Sequence, residues 1–493
     1  MKEILKSKYA RLFLGGLALS IIAAWFSTGF HHADEHYQIL EFCNYKMGNT
    51  QAAYMPWEFQ QKMRAALLPG IAYIIGEAMN GCGLYDPFIL AFILRLLTAL
   101  TGWFITCKFC LLLLPKFKTP KAERLLVLMS LFLWFIPYLM VRFTVENISG
   151  IALLYGVYGI LRIDEKTTNT YVRYIVAGLL FGISFFIRSQ MSFAIAGFLA
   201  WLIFINKTKW KYLILLSISA IAAIGINILI DHWFYSEWII TPFNYYYANI
   251  VKHIAAEFGT SPWWFYFADF TVKAIPPLSV LLLVMFFIGI YKNVKDPFVW
   301  IIIPFFAMHC FIGHKELRFL FPVTFIFLYI TALGFDHFIE KNYYPKTFRF
   351  FYRLAWIISI PLLLYRTLTP ANISVNYYKY LYYDIPANNT TLFFLHDEHD
   401  YSMFGMRESF YRNPEMKAMS VDSISQLDRY LQTNKLESIL LLNKHPLAPA
   451  ENLKGYNKQL IYSYFPSWIS KFDFNSWEER TPIWSVYRFT KSE

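Results

Sequence analysis

Residues 212–230 read YLILLSISAIAAIGINILI, nineteen positions without a charge. A helix that crosses the hydrocarbon core of a bilayer needs roughly 20 apolar residues, and this stretch meets that need. Outward from it, Leu12–Phe30, Leu125–Val141, Ser189–Asn206, Ala274–Tyr291, Pro297–Gly313 and Phe319–Phe335 are also free of charge. Shorter or interrupted candidates are Pro87–Leu114 (broken by Arg95 and Lys108), Asn147–Leu161, Tyr174–Ile187 and Leu354–Tyr365. Seven full runs and four shorter ones predict about eleven transmembrane helices.

Composition agrees. Of 493 residues, 57% are apolar, 20% aromatic and 16% charged, against roughly 25% charged in soluble domains. Such a chain cannot cover a soluble globule with polar side chains, nor stay disordered. Five cysteines exclude a disulfide scaffold, and the lone Cys107-x-x-Cys110 pair, inside an apolar segment, reads as packing. The net charge of +12 is spread over separate loops, which fits membrane sidedness and no nucleic-acid partner.

Lys and Arg set the orientation. The amino terminus (Lys2, Lys6, Lys8, Arg11) is placed in the cytoplasm. The loops holding Lys116–Arg124, then Arg162, Lys166 and Arg173, then Lys207–Lys211, Lys292 and Lys295, and Lys341–Arg353 fall on the same side. The first apolar run reads as a retained anchor, and the carboxyl terminus falls outside. The predicted fold is an α-helical polytopic membrane domain over residues 1–366, with outward loops 31–86 and 231–273. Residues 367–493 follow as a small extracytoplasmic α+β domain, with strand-like runs Thr391–Leu395, Ser438–Leu442 and Trp484–Phe489 and a helical run Ser423–Thr433. Trp57–Ile75 reads as one interfacial helix.

Two outer clusters carry candidate chemistry. His31-His32-Ala33-Asp34-Glu35-His36 follows the first span. Acids at a membrane surface are costly, which marks Asp34 and Glu35 as functional candidates, and a carboxylate at an apolar boundary suits a general base. A helix cap and a His/Asp/Glu metal site are the alternatives. The second cluster is Gly313-His314-Lys315-Glu316-Leu317-Arg318-Phe319. Cations crowding the first turn of a helix call for a compensating anion, and phosphate fits; a snorkelling anchor is the alternative. Arg95, Arg142, Glu146 and Arg188 are expensive in lipid and are expected to face a polar cavity or to be paired. A base, a phosphate clamp and aromatic platforms suit glycosyl transfer from a lipid-linked phosphate donor; a lipid-sugar flippase would need similar groups.

These motifs resemble the GT-C superfamily, and within it glycosyltransferase family 22. His32-Ala33-Asp34-Glu35-His36-Tyr37-Gln38 is similar to that family's H-P-D-E-x-x-Q. Trp57-Glu58 with Met63-Arg64-Ala65-Ala66-Leu67-Leu68-Pro69 is similar to W-E…R-S-x-x-x-P. Thr241–Asn249 with Phe258–Tyr266 is similar to T-P-x-N-F-x-x-Y-N…Y-G-x-H-P-W-x-W-Y, and His314–Leu320 to H-K-E-x-R-F-L. Ala33, Tyr245 and Ser261 depart from the pattern, and the tail matches nothing in it.

The resemblance implies an inverting transferase that moves mannose from a dolichyl- or polyprenyl-phosphate donor to a glycan or glycolipid acceptor. A different sugar is the alternative. It implies Asp34 as base with Glu35 beside it, and His314, Lys315, Arg318 and Arg188 at the donor phosphate. Asn244, Asn249, Trp263, Trp264, Glu58 and Arg64 would line the substrate cleft. No cofactor and no metal are implied, since fixed cations stabilise the leaving phosphate. The departures point to a bacterial chain with a periplasmic site; an endoplasmic-reticulum chain with a lumenal site is the alternative.

Overall fold

The computed structural model describes residues 1–492 except 164–168, 342–345, 373–374, 387–390, 396–401, 404–405, 408, 414, 435–437, 444–452, 454, 467, 473, 478–480 and 482. Lys166 of the expected basic loops therefore lies outside the described residues. The chain divides into two compact units. One comprises Met1–Ser27, Trp57–Ile74 and Ala91–Pro370. The other comprises Thr28–Pro56, Ile75–Leu90 and Ala371–Glu493.

The first unit is a helical membrane bundle. Among the described residues, five helices are long and apolar enough to cross a bilayer: Pro87–Lys116, Thr170–Ile187, Trp210–Tyr235, Leu317–Glu340 and Phe348–Leu368. Ala10–Phe26, Val145–Leu161, Met191–Phe204, Leu278–Lys292 and Pro297–Phe311 are shorter apolar helices. Each coincides with an expected span. The remaining candidate, Leu125–Val141, is instead two helices, Pro120–Phe132 and Ile136–Met140. The chain turns at Leu133, with ψ 135°, and the freed Trp134 N–H donates to Ser359 Oγ at 3.2 Å. Pro137, which has no N–H to give, sits in the opening turn of the second piece.

Small residues bring the helices together, as they must where lipid gives no hydrophobic drive for association. A Cβ on Gly178 would lie 2.2 Å from the Leu216 carbonyl oxygen, and one on Gly182 would lie 2.4 Å from that of Ala220. Thr170–Ile187 and Trp210–Tyr235 therefore pack backbone to backbone. Cys107 and Cys110 are buried in the apolar core of this unit.

One expectation is corrected here. Trp57–Ile75 is not one helix: Trp57–Gln60 and Leu67–Gly81 are separated by a turn in which Lys62 has φ 48°. Side chains from distant segments take the turn's backbone groups. Asn244 Nδ2 donates to Lys62 O at 2.9 Å, Tyr235 Oη to Arg64 O at 2.8 Å, and Ala66 N–H to Asp231 Oδ1 at 2.8 Å. Arg95 and Arg142 are buried and donate to main-chain carbonyls. Arg95 Nε donates to Ala24 O at 2.9 Å, and Arg142 Nη2 donates to Ser27 Oγ and O. Both serve the carbonyl-rich end of the first span.

The second unit holds a five-stranded mixed sheet in the order Lys417–Val421, Thr391–Leu395, Ser438–Asn443, Ser485–Lys491, Tyr456–Ser463. The first three strands run parallel and the last two antiparallel to their neighbours. Phe393 pairs with Met419 on one side and Leu441 on the other. Helix Ile424–Asn434 buries Leu427 and Leu431 with Phe393, Ile439, Leu441 and Phe489. The tail is thus α+β, as its alternating apolar runs imply.

Candidate functional site

Three elements of the first unit build a charged cluster. Helix Val145–Leu161 is capped by Thr144, whose hydroxyl accepts the Asn147 N–H at 3.2 Å. That cap places Glu146 in the first turn, where unpaired N–H groups favour a carboxylate. Helix Thr170–Ile187 ends as Arg188 turns extended (φ −145°, ψ 101°). Ser184 Oγ donates to Ser149 O at 2.8 Å and fixes the register of the two helices. Arg188 Nη1 consequently donates to Glu146 Oε1 at 2.7 Å, with both side chains only 5% exposed.

The third element is the 3-10 segment Leu317–Val323. Gly150 admits it, since a Cβ there would lie 2.5 Å from Pro322 O. Arg318 Nη1 comes to 3.8 Å from the same Glu146 oxygen. Arg318 also donates to Glu316, Nε to Oε2 at 2.6 Å and Nη2 to Oε1 at 3.0 Å. His314 Nε2 is 3.1 Å from Glu316 Oε1. Charges therefore alternate along Arg188, Glu146, Arg318 and Glu316, with the His314 ring beside Glu316. Phe319 supports the two guanidiniums, whose carbons are 5.1 Å (Arg188) and 5.3 Å (Arg318) from its ring centroid. Among the described residues, Arg188 Nε and Nη2 are buried and make no hydrogen bond. They form one edge of the guanidinium, the edge that takes a phosphate or carboxylate side-on.

Lys315 is placed differently from the sequence expectation. It does not open the helix that follows; it closes the one before. Its ammonium donates to the carbonyls of Ser261 (2.8 Å), Gly313 (3.4 Å) and Ile312, the residue that ends helix Pro297–Phe311. A cation is favoured at a helix carboxyl end, and burial lowers the pKa of this ammonium below the usual lysine value. Ser261 N–H donates back to Gly313 O at 2.9 Å, and His314 Nδ1 is 3.0 Å from Gly259 O. Residues 259–261 are thereby stitched to 312–315, joining two of the motifs.

Four cleft candidates of this unit, Glu58, Arg64, Asn244 and Asn249, also gather around Tyr245 and the Lys62 turn. Arg64 Nη2 is 3.4 Å from Glu58 Oε1, and its guanidinium carbon lies 5.4 Å from the Tyr245 ring centroid. Gln190 Nε2, two residues beyond Arg188, donates to Tyr245 Oη at 2.7 Å. Asn244 holds the Lys62 turn, and Asn249 Nδ2 donates to Tyr245 O at 3.1 Å. Trp263 and Trp264 are 65% and 50% exposed. Glu146, Gln190, Tyr245 and Phe319 join the predicted residues here. Glu146 carried a sequence signal as a charge beside a span, and Tyr245 and Phe319 fall within the matched motifs; Gln190 carried none.

The first motif lies in the second unit. His32 caps helix Ala33–Glu35, its Nδ1 accepting the Asp34 N–H at 3.3 Å. Glu35 is buried and its Oε2 accepts the His31 N–H at 2.9 Å, reaching back to support the His32 cap. Asp34 keeps a side chain 25% exposed, with Oδ1 3.4 Å from His32 Nδ1. His36 turns inward onto Glu41 at 2.9 Å, and Glu41 Oε1 also accepts the Phe410 N–H at 2.8 Å. His32 and His36 are thus directed to different partners.

A sequence profile of the Alg9-like mannosyltransferase family matches residues 12–401. The chain is 27% identical over 315 residues to GPI mannosyltransferase 3 of Candida albicans, covering 63% of this chain and 61% of that protein. It is 25% identical over 334 residues to mannosyltransferase APTG1 of Arabidopsis thaliana, covering 66% and 58%. The chain thus spans about six tenths of the length of these curated relatives. Its fold is similar to a crystal structure of ArnT from Cupriavidus metallidurans bound to undecaprenyl phosphate, with TM-score 0.52, 10% identity and 98% of each chain covered. The architecture is of the GT-C type, that of an integral multi-pass membrane protein.

Proposed function

The chain belongs to the Alg9-like mannosyltransferase family, and on that premise we propose that it transfers mannose, with inversion, from a polyprenyl-phosphate donor to a hydroxyl of a glycolipid or glycan acceptor. The Arg188–Glu146–Arg318 cluster carries this reading. A buried guanidinium whose side-on edge lacks a hydrogen-bond partner suits a phosphate, and a second guanidinium shares its counter-charge. Phosphate is the leaving group, so the bond that breaks needs charge stabilisation more than a proton. The acceptor hydroxyl must lose one, and Asp34 is its base. Arg188 and Arg318 take the phosphate, while Lys315 and His314 hold the loop beside them. Arg64, Glu58, Asn244, Asn249, Trp263 and Trp264 form and support the sugar-binding surface.

Purified protein offered a panel of polyprenyl-phosphate sugars should transfer mannose and invert its anomeric configuration. Transfer of another sugar in preference would replace mannose, and movement of the lipid across vesicles without transfer would make the chain a flippase. The Lys/Arg bias of the loops supports an outward site, periplasmic in a bacterium or lumenal in the endoplasmic reticulum. A cysteine introduced at Ser261 should then react with impermeant maleimide only from the outer side. Reaction from the cytoplasm alone would invert the topology.

A further inference from the structure

Glu146 is an unusual neighbour for a phosphate grip. Its Oε1 accepts from Arg188 at 2.7 Å and stands 3.8 Å from Arg318, so one carboxylate oxygen serves two guanidiniums. Both guanidiniums also lie against the one ring of Phe319. Two arginines held this close repel each other. Glu146 lies against both of them from the first turn of Val145–Leu161 and offsets the repulsion.

The same carboxylate acts on any anion that the pair receives. Arg188 meets Glu146 through Nη1 and leaves its buried Nε–Nη2 edge without a hydrogen-bond partner among the described residues. A phosphate on that edge would have Glu146 across the guanidinium, roughly 7 Å away, where a like charge weakens binding on the order of tenfold. We propose that Glu146 is a positioning residue with two effects: it orients Arg188 and Arg318, and it holds their affinity for phosphate down so that the spent polyprenyl phosphate leaves. This inference rests on the reading of Arg188 and Arg318 as the donor-phosphate grip.

Glu146→Gln separates the two effects. The amide oxygen still accepts from Arg188 Nη1, while the negative charge is gone. Undecaprenyl phosphate, which has no sugar to transfer, is the probe. Titrated into the full-length protein in detergent, it should bind the Gln variant on the order of tenfold more tightly than wild type. The donor KM should fall together with kcat, and a pre-steady-state burst should appear as product release becomes limiting. A residue that only supported the fold would not tighten binding. Glu146→Asp keeps the charge but draws it back by one methylene. It should shift affinity the same way by less, and it reads the effect if the Gln variant does not fold. Equal or weaker probe binding in whichever variant folds overturns the role given to Glu146. Arg188→Ala binding the probe as well as wild type would instead overturn the phosphate-grip reading, and the inference with it.

Discussion

Asp34→Asn should lower kcat/KM for mannosyl transfer by about 10²–10⁴-fold, the range over which positioned general bases act, and leave the melting temperature near wild type. Asn is isosteric, and the Asp34 side chain is a quarter exposed, so little folding energy depends on its charge. Glu35 is the internal control. Its carboxylate accepts the His31 N–H, which the carbonyl of Gln can also do. Glu35→Gln should therefore lose less than about tenfold, through small shifts of the cap alone. Wild-type turnover in Asp34→Asn would remove Asp34 from the chemistry. Comparable losses at both positions would mean that the two acids share the proton.

The second large effect is expected at the arginines. Arg318→Ala and Arg188→Ala should each cost about 10²–10³-fold in kcat/KM, as loss of a preorganised charge-stabilising donor does. The loss should appear mainly in the donor KM and spare the acceptor KM. Arg188→Lys should recover little, because an ammonium is a point charge without a side-on edge. Stability must be followed in parallel at Arg188, since removing one member of a buried ion pair costs about 3–5 kcal/mol and Glu146 would keep only the longer contact to Arg318. Donor and acceptor KM values measured on variants that still melt cooperatively decide the matter. A uniform loss against both substrates would mean that these side chains shape the fold and not the donor site.

The spans were legible because length and polarity alone decide them: a run such as residues 212–230 has no other stable home than a helix in lipid. The break at Leu133–Phe135 was not, because Trp134 and Phe135 are apolar whether helical or turning, and the partner that permits the turn is Ser359, far along the chain. The tail's strands could be read from their apolar alternation, while their order in the sheet depends on pairing between segments that the sequence does not label.

At the site, residue types pointed correctly to charge but could not assign partners. Lys315 and Arg318 sit three apart, yet one closes the preceding helix and the other joins Glu146 and Glu316. Asp34 and Glu35 are adjacent and chemically alike; burial and the bond to the His31 N–H distinguish Glu35. Gln190 carries no signal in sequence, because a polar residue beside a span end is ordinary until its partner, here Tyr245, is known.

The contact of Gly150 with Pro322 has a consequence for how such a site can be tuned. Two main chains meet there with no side chain between them, so the interval separating Glu146 from Arg318 is set by the backbone, like the gauge of a track. One added methyl would widen that gauge without altering any ionisable group. Evolution, or an engineer, could retune the grip on an anion from a position that never touches it.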